Sequence, residues 1–127
     1  MQGCICFDFG DFIRSACSSA LEDEKDLNKV IFQKEKAIKF AEGFINKTKN
    51  SITLIELENL INGAIVMTYE CGMRFLTDYL ENNVYFKVEY DDHNLIRAKT
   101  QTHLCTKIIK QKQELEKTIL DIYNAQE

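Results

Sequence analysis

The feature that most constrains the fold is residues 64–80, where apolar side chains surround most of a helix. At 3.6 residues per turn these positions fall on more than one face. A helix of this kind is buried from several sides, so it is predicted to lie at the centre of its domain. Asn82 and Asn83 predict its end. Its apolar positions are Ile65, Val66, Met67, Tyr69, Met73, Phe75, Leu76, Tyr79 and Leu80.

Amphipathic patterns predict further helices on the N-terminal side of this segment, over residues 9–17, 34–46 and 54–60. Residues 30–32 fit either a short strand or the lead-in to a helix. The side chain of Asp8 or Asp11 is expected to cap the first of these helices by accepting hydrogen bonds from the free backbone N–H groups of that helix.

A capping-box pattern, Thr53 followed by Glu56, begins the third predicted helix. Asn62-Gly63 predicts a kink or a short connection before the central helix. A last helix is predicted from a cap at Asp92 or Asn94 to about Tyr123. The chain contains no proline, which fits a helical protein. At 127 residues, the whole pattern predicts a single all-α domain over residues 1–127.

Composition excludes several classes of function. The net charge of −4 gives no support for nucleic-acid binding, and no apolar run reaches the roughly 18 residues of a membrane helix. Five cysteines at scattered positions do not form a disulfide framework, so a reduced, cytoplasmic setting is expected. Cys71 and Cys105 are predicted to be buried thiols. Cys4 and Cys6, like His93 and His103, lack the partners of a metal site.

Three charged residues in the central helix, Glu70, Arg74 and Asp78, recur every four residues and so share one face. They fit an ordinary ladder of surface ion pairs, which adds little stability. They also fit a guanidinium in a polar pocket that donates several hydrogen bonds to a ligand. Spacing alone leaves both interpretations open.

The order of residues around this face carries a family resemblance. The helix contains Glu70-Cys71-Gly72-Met73-Arg74-Phe75-Leu76-Thr77-Asp78, and Val84-Tyr85-Phe86-Lys87 and His93-Asn94-Leu95-Ile96-Arg97 follow. This order resembles the C-terminal part of the aminoglycoside-phosphotransferase-like kinases, most closely the N-acetylhexosamine 1-kinase branch. The N-terminal string Asp8-Phe9-Gly10-Asp11 resembles a string that lies in mid-protein in that family, a few residues after a metal-binding aspartate.

The resemblance implies a helical C-terminal subdomain of a protein-kinase-like phosphotransferase fold. It also implies that Arg74 and Tyr85 line the sugar pocket and that Asp78 supports the site by orienting Arg74. No metal ligand or catalytic residue is expected here, because the glycine-rich nucleotide lobe, the catalytic loop and the metal aspartate are not encoded. ATP and Mg are implied for a complete family member.

The leading expectation is therefore a truncated acceptor-binding subdomain of an ATP-dependent, N-acetylhexosamine-like sugar 1-kinase, inactive alone. Its partners would be a small sugar, once an N-terminal kinase part completes the site, with no nucleic acid and no membrane. Phe7, Phe9 and Phe12 are expected to form an exposed apolar surface that favours self-association or binding of an N-terminal kinase fragment. The alternative is a non-catalytic helical protein-interaction module derived from the same scaffold.

Overall fold

The computed structural model describes residues 5–125, and within this part every element of regular structure is helical. The all-α prediction is confirmed for these residues. A short 3-10 turn, Leu27–Lys29, lies in the first connection. The α-helices are α1 (Ile5–Ala16), α2 (Lys34–Thr48), α3 (Leu54–Glu58), α4 (Leu60–Leu80), α5 (His93–Lys110) and α6 (Lys112–Ala125).

The central position predicted for the long apolar helix is confirmed. The two most extensive helix pairings in the described residues are α1 with α4 and α4 with α5, while α6 packs mainly on α2. Helix α4 begins four residues earlier than predicted: Leu60, which was assigned to the preceding helix, is its first residue, and Leu60 and Ile61 are both buried in the core. The largest fully buried apolar side chains are Phe9, Ile13, Val30, Ile45, Leu60, Ile61, Leu104 and Ile108.

Two glycines allow α1 and α4 to pack with their backbones in contact. A Cβ atom on Gly10 would collide with the backbone of Gly63 and Ala64, and one on Gly63 would collide with the carbonyl of Cys6. The prediction of a kink or connection at Asn62-Gly63 is therefore wrong, since Gly63 lies inside α4. The helix break lies at Asn59, between α3 and α4.

The first helix extends further toward the N-terminus than its pattern predicted. Helix α1 includes Ile5 and Cys6, because Cys6 joins Phe9 and Ile13 in the core. Neither predicted cap is correct: Asp8 lies in the first turn of the helix, and Asp11 lies inside it and pairs with Arg14. Residues 1–4, and with them Cys4, lie outside the described residues.

The predicted last helix is two helices that meet at Gln111. Helix α5 packs on α4 and ends at Lys110, with Gln111 as its C-cap, whereas α6 packs mainly on α2. The ambiguous segment at residues 30–32 forms one isolated antiparallel bridge, Ser18 to Phe32, and α2 begins at Lys34.

Local end signals were predicted more successfully. The Thr53 hydroxyl accepts a hydrogen bond from the Glu56 N–H at 3.1 Å, and the Glu56 carboxylate accepts one from the Thr53 N–H at 2.9 Å, so the capping box is present. Asn82 and Asn83 end α4 with φ angles of 67° and 60°. Asn tolerates this left-handed region better than most residues. No helix in the described range is both long and apolar enough to cross a membrane.

Candidate functional site

The connection between α4 and α5, residues 81–92, is held in place by the carboxylate of Asp78. One oxygen accepts the backbone N–H of Tyr85 at 2.8 Å, and the other accepts that of Phe86 at 2.9 Å. The Asn94 side-chain amide, on α5, donates to the same carboxylate at 2.8 Å. Asp78 is only 3% exposed, so a buried acid sets the path of the chain through Tyr85 and Phe86.

These donors compensate for the burial of the charge. Burial alone would raise the pKa of Asp78, but the N–H groups of Phe86 and Tyr85 and the Asn94 amide outweigh it and hold the pKa below its usual range. The carboxylate is therefore ionised at neutral pH and serves as an acceptor for the connection.

The role predicted for Asp78 is wrong. In residues 5–125 no ion pair joins Asp78 to Arg74, and none joins Glu70 to Arg74, so the ladder interpretation fails as well. The cause is geometric: Asp78 is buried against the connection, whereas Arg74 and Glu70 are exposed. Asp78 supports the site by fixing the Tyr85 backbone rather than by orienting the Arg74 side chain.

Arg74 and Tyr85 do meet at one surface. The Arg74 guanidinium carbon lies 5.8 Å from the Tyr85 ring centroid and 5.7 Å from that of Phe86. The two rings pack edge to face with centroids 4.8 Å apart. They border an open hollow of about 390 Å³, called here the Tyr85 hollow. Its lining residues are Glu70, Met73, Arg74, Thr77, Asp78, Glu81, Tyr85 and Phe86.

Two residues of this region were not predicted as site residues, Asn94 and Arg97. The Asn94 side-chain oxygen accepts from Arg97 at 2.9 Å, and the same guanidinium nitrogen donates to the Lys87 carbonyl at 3.1 Å. Asn94 was predicted only as a possible helix cap, yet it is fully buried inside α5. Its place in the string His93-Asn94-Leu95-Ile96-Arg97 was the available signal. The other predicted cap, Asp92, does occupy the N-cap position of α5, but its side chain makes no capping hydrogen bond.

A second hollow adjoins the first. It has a volume of about 430 Å³ and is called here the cation hollow, because Arg14, Arg74, Lys87 and Arg97 line it together with Glu22, Cys71, Phe75 and Phe86. Arg74 and Phe86 border both hollows. The Arg97 guanidinium carbon also lies 5.4 Å from the Phe75 ring centroid.

His93 connects the 81–92 connection to the segment that follows α1. Its Nδ1 accepts from the Glu89 N–H at 3.2 Å, which requires the proton to sit on Nε2. Nε2–H then donates to Asp23 at 2.9 Å, and this hydrogen bond lowers the pKa of Asp23. The ring stacks on Tyr90 with centroids 4.6 Å apart. His93 is thus a buried structural residue, and both of its nitrogens are occupied.

The remaining candidates divide by burial. Cys105 is buried as predicted, whereas Cys71 is partly exposed in the cation hollow, and burial raises the pKa of its thiol above the usual range. Across residues 5–125, no group of three or more His, Cys, Asp or Glu side chains could hold a metal ion.

The two adjoining hollows can bind and orient a polar or anionic molecule through guanidinium groups and aromatic faces. No protein-family model matches the chain.

Proposed function

We propose that this chain is the acceptor-binding helical subdomain of a sugar kinase related to the aminoglycoside phosphotransferases, with an N-acetylhexosamine as its sugar. The Tyr85 hollow holds the sugar, Tyr85 provides an aromatic wall, and Arg74 donates hydrogen bonds to the hydroxyl or acetamido oxygens. ATP and Mg would be bound by an N-terminal kinase part, which also supplies the catalytic base.

The observation that supports this proposal most directly is the convergence of Arg74 and Tyr85, which are eleven positions apart in sequence and belong to different segments. A concave surface with an aromatic wall and a small number of polar groups is the usual form of a small-molecule site. The chain uses a buried carboxylate to hold the Tyr85 and Phe86 backbone, so the aromatic wall is preorganised before a ligand binds.

Sugar binding to the isolated chain tests the proposal. Saturation-transfer NMR with N-acetylglucosamine and N-acetylgalactosamine is expected to give signals that Arg74→Ala and Tyr85→Ala both abolish. Tyr69→Ala is the matched control, because Tyr69 is an exposed tyrosine of α4 that does not line the hollow. Equal signals from the native chain, Tyr85→Ala and Tyr69→Ala would refute the sugar site.

The proposal also gives separate roles to this chain, which binds the sugar, and to the N-terminal kinase part, which binds the nucleotide. With an N-terminal kinase part added, Arg74→Ala is expected to reduce sugar use much more than nucleotide use, because a polar group of the bound sugar loses its partner. The isolated chain is expected to turn over no ATP. Turnover by the isolated chain with N-acetylhexosamines, above a blank without protein, would contradict this division.

A second candidate function is a helical protein-interaction module, which the surface of α1 favours. Phe7 and Phe12 are 43% and 44% exposed, whereas Phe9 is buried in the core, contrary to the prediction that all three are exposed. Phe12 stacks on Phe40 of α2 with ring centroids 3.8 Å apart, so the exposed apolar surface spans two helices.

Sedimentation at rising protein concentration tests this second candidate function. Self-association is expected for the native chain and reduced association for Phe7→Ser, whereas a monomer at all concentrations would count against it.

A further inference from the structure

The cation hollow contains more positive charge than its surroundings neutralise. Within the described residues, Arg74, Lys87 and Arg97 form no ion pair with any acidic side chain. Arg14 differs, because it pairs with two carboxylates, Asp11 at 3.0 Å and Glu22 at 3.3 Å, so this group of three carries one net negative charge against the three unpaired cations. Three unpaired cations around one hollow stand out in a chain whose net charge is −4, and clustered positive charge of this kind attracts anions.

The geometry directs these charges toward a common space. Arg97 is fixed by its hydrogen bonds to Asn94 and to the Lys87 carbonyl, and that second bond holds the two cationic residues together. Each bond uses the same guanidinium nitrogen, so the other donors of Arg97 remain for a ligand. Phe75 and Phe86 supply apolar walls that lower the local dielectric and strengthen charge-assisted hydrogen bonds.

We propose that the cation hollow binds the phosphate of a small phosphomonoester, with Lys87, Arg97 and Arg74 as its ligands. A phosphate ester carries up to two negative charges and three acceptor oxygens, which suits three cations better than a single carboxylate does. The rest of the ligand lies across Phe86 into the Tyr85 hollow, because the two hollows share Phe86 and Arg74. This inference goes beyond the proposed sugar site, because it rests on the positive charge of the cation hollow.

Direct binding at constant ionic strength gives the first test. The probes are glucose 6-phosphate, inorganic phosphate and glucose, measured by calorimetry on the full chain. Glucose 6-phosphate is expected to bind more tightly than inorganic phosphate, and glucose more weakly than both. Lys87→Gln and Arg74→Gln are each expected to weaken phosphate binding roughly ten- to hundredfold, the effect of losing one charge-assisted hydrogen bond.

The control is Lys47→Gln, because Lys47 is an exposed cation of α2, a helix that lines neither hollow. If Lys47→Gln weakens phosphate binding as much as Lys87→Gln does, the attraction is general and the site is refuted. If glucose binds as tightly as glucose 6-phosphate, the phosphate contributes nothing and the proposal fails. Equal affinities for glucose 6-phosphate and inorganic phosphate would refute the part that extends the ligand into the Tyr85 hollow.

Cys71 offers an independent readout from inside the hollow. It is the partly exposed cysteine among the four described, while Cys6, Cys17 and Cys105 are buried. A neutral alkylating reagent, iodoacetamide, is expected to modify Cys71 in the free chain, and glucose 6-phosphate is expected to slow that reaction severalfold. Mass spectrometry of the peptide that contains Cys71 identifies the site. An unchanged alkylation rate at a saturating ligand concentration would overturn the proposal, even if N-acetylhexosamine binding at Tyr85 were established.

Discussion

The two ends of α4 are held by opposite means. Near its N-terminal end, Gly63 lets the backbone of α1 approach until no room remains for a Cβ atom. Near its C-terminal end, the buried Asp78 carboxylate gathers two backbone N–H groups and the Asn94 amide. The first contact leaves no room for a side chain, whereas the second positions a connection in which Val84 and Tyr85 remain exposed.

This difference separates the part that maintains the fold from the part that we propose binds a ligand. Packing between backbones at Gly10 and Gly63 has no tolerance, because neither neighbour can rotate away. A carboxylate with three donors fixes the backbone of residues 85 and 86 but leaves the Tyr85 ring 73% exposed. Rigid support beneath exposed aromatic and cationic side chains is what a binding surface requires.

The largest expected effect tests the glycine end. Gly63→Ala should destabilise the chain by about 3 kcal/mol or more, because the new methyl group meets the Cys6 carbonyl and the helices must separate. Urea denaturation followed by circular dichroism measures it. Gly43→Ala is the control: Gly43 lies in α2 with open space around it, so the change should stabilise the chain by about 0.5–1 kcal/mol. If Gly63→Ala and Gly43→Ala change the free energy of unfolding by similar amounts, the close approach of α1 to α4 does not restrict the side chain at position 63.

The next effect tests the carboxylate end. Asp78→Asn should lower the melting temperature at pH 7 by roughly 5–10 °C, because one acceptor oxygen is replaced by an amide that faces backbone N–H donors. The folded pKa of Asp78 lies below its unfolded value of about 3.9. Its stabilising contribution is thus present above that unfolded pKa and is lost as the pH falls through the folded pKa.

Thermal melts from pH 7 to pH 2 measure this prediction. The difference in melting temperature between the native chain and Asp78→Asn should narrow at the acid end. Asp23, whose pKa is also lowered, is present in both proteins and so does not affect the difference. A difference that stays constant with pH would show that the ionised carboxylate is not the stabilising species.

A smaller effect is expected at the capping box of α3, which belongs to neither end of α4. Thr53→Ala should cost about 1 kcal/mol, because the Glu56 N–H loses its acceptor. Chemical denaturation measures it against Thr106→Ala, since Thr106 is an exposed threonine whose hydroxyl bonds only within its own helix. If Thr53→Ala lowers the free energy of unfolding by more than Gly63→Ala does, then α3, rather than the α1–α4 contact, limits stability.

The smallest effect on stability is expected for the exposed residues of the Tyr85 hollow. Arg74→Gln and Tyr85→Ala should change the free energy of unfolding by no more than about 0.5 kcal/mol, because both side chains are exposed. Paired measurements of unfolding and of ligand binding would then show that binding is weakened while the fold is retained. A large loss of stability in either variant would place Arg74 and Tyr85 in the structural support instead.

Elements that depend on neighbouring residues were predicted well. The apolar pattern predicted the central helix, Thr53 and Glu56 predicted the start of α3, and Asn82-Asn83 predicted the end of α4. Each rests on helical periodicity or on hydrogen bonds that span three or four residues. Arg74 and Tyr85, which the family resemblance placed in one pocket, also meet at one surface.

Features that depend on distant partners were not predicted. Gly63 was taken for a breaker, because only the presence of Cys6 beside it shows why a glycine is required inside a helix. Asp78 was expected to orient Arg74, which lies on the same helix face, but its partners lie seven, eight and sixteen positions away. The break at Gln111 was not predicted either, and it separates two helices with different packing partners, α5 on α4 and α6 mainly on α2.

The sequence by itself determined that this chain is helical, which segment lies at the centre, and where several helices begin and end. Those properties follow from side-chain periodicity and local hydrogen bonds. The tertiary structure alone decided which glycines bring helices together, which carboxylate is buried, and which cations remain unpaired around a common hollow. Burial and charge balance are properties of the folded neighbourhood, and that neighbourhood is assembled from residues far apart in the chain.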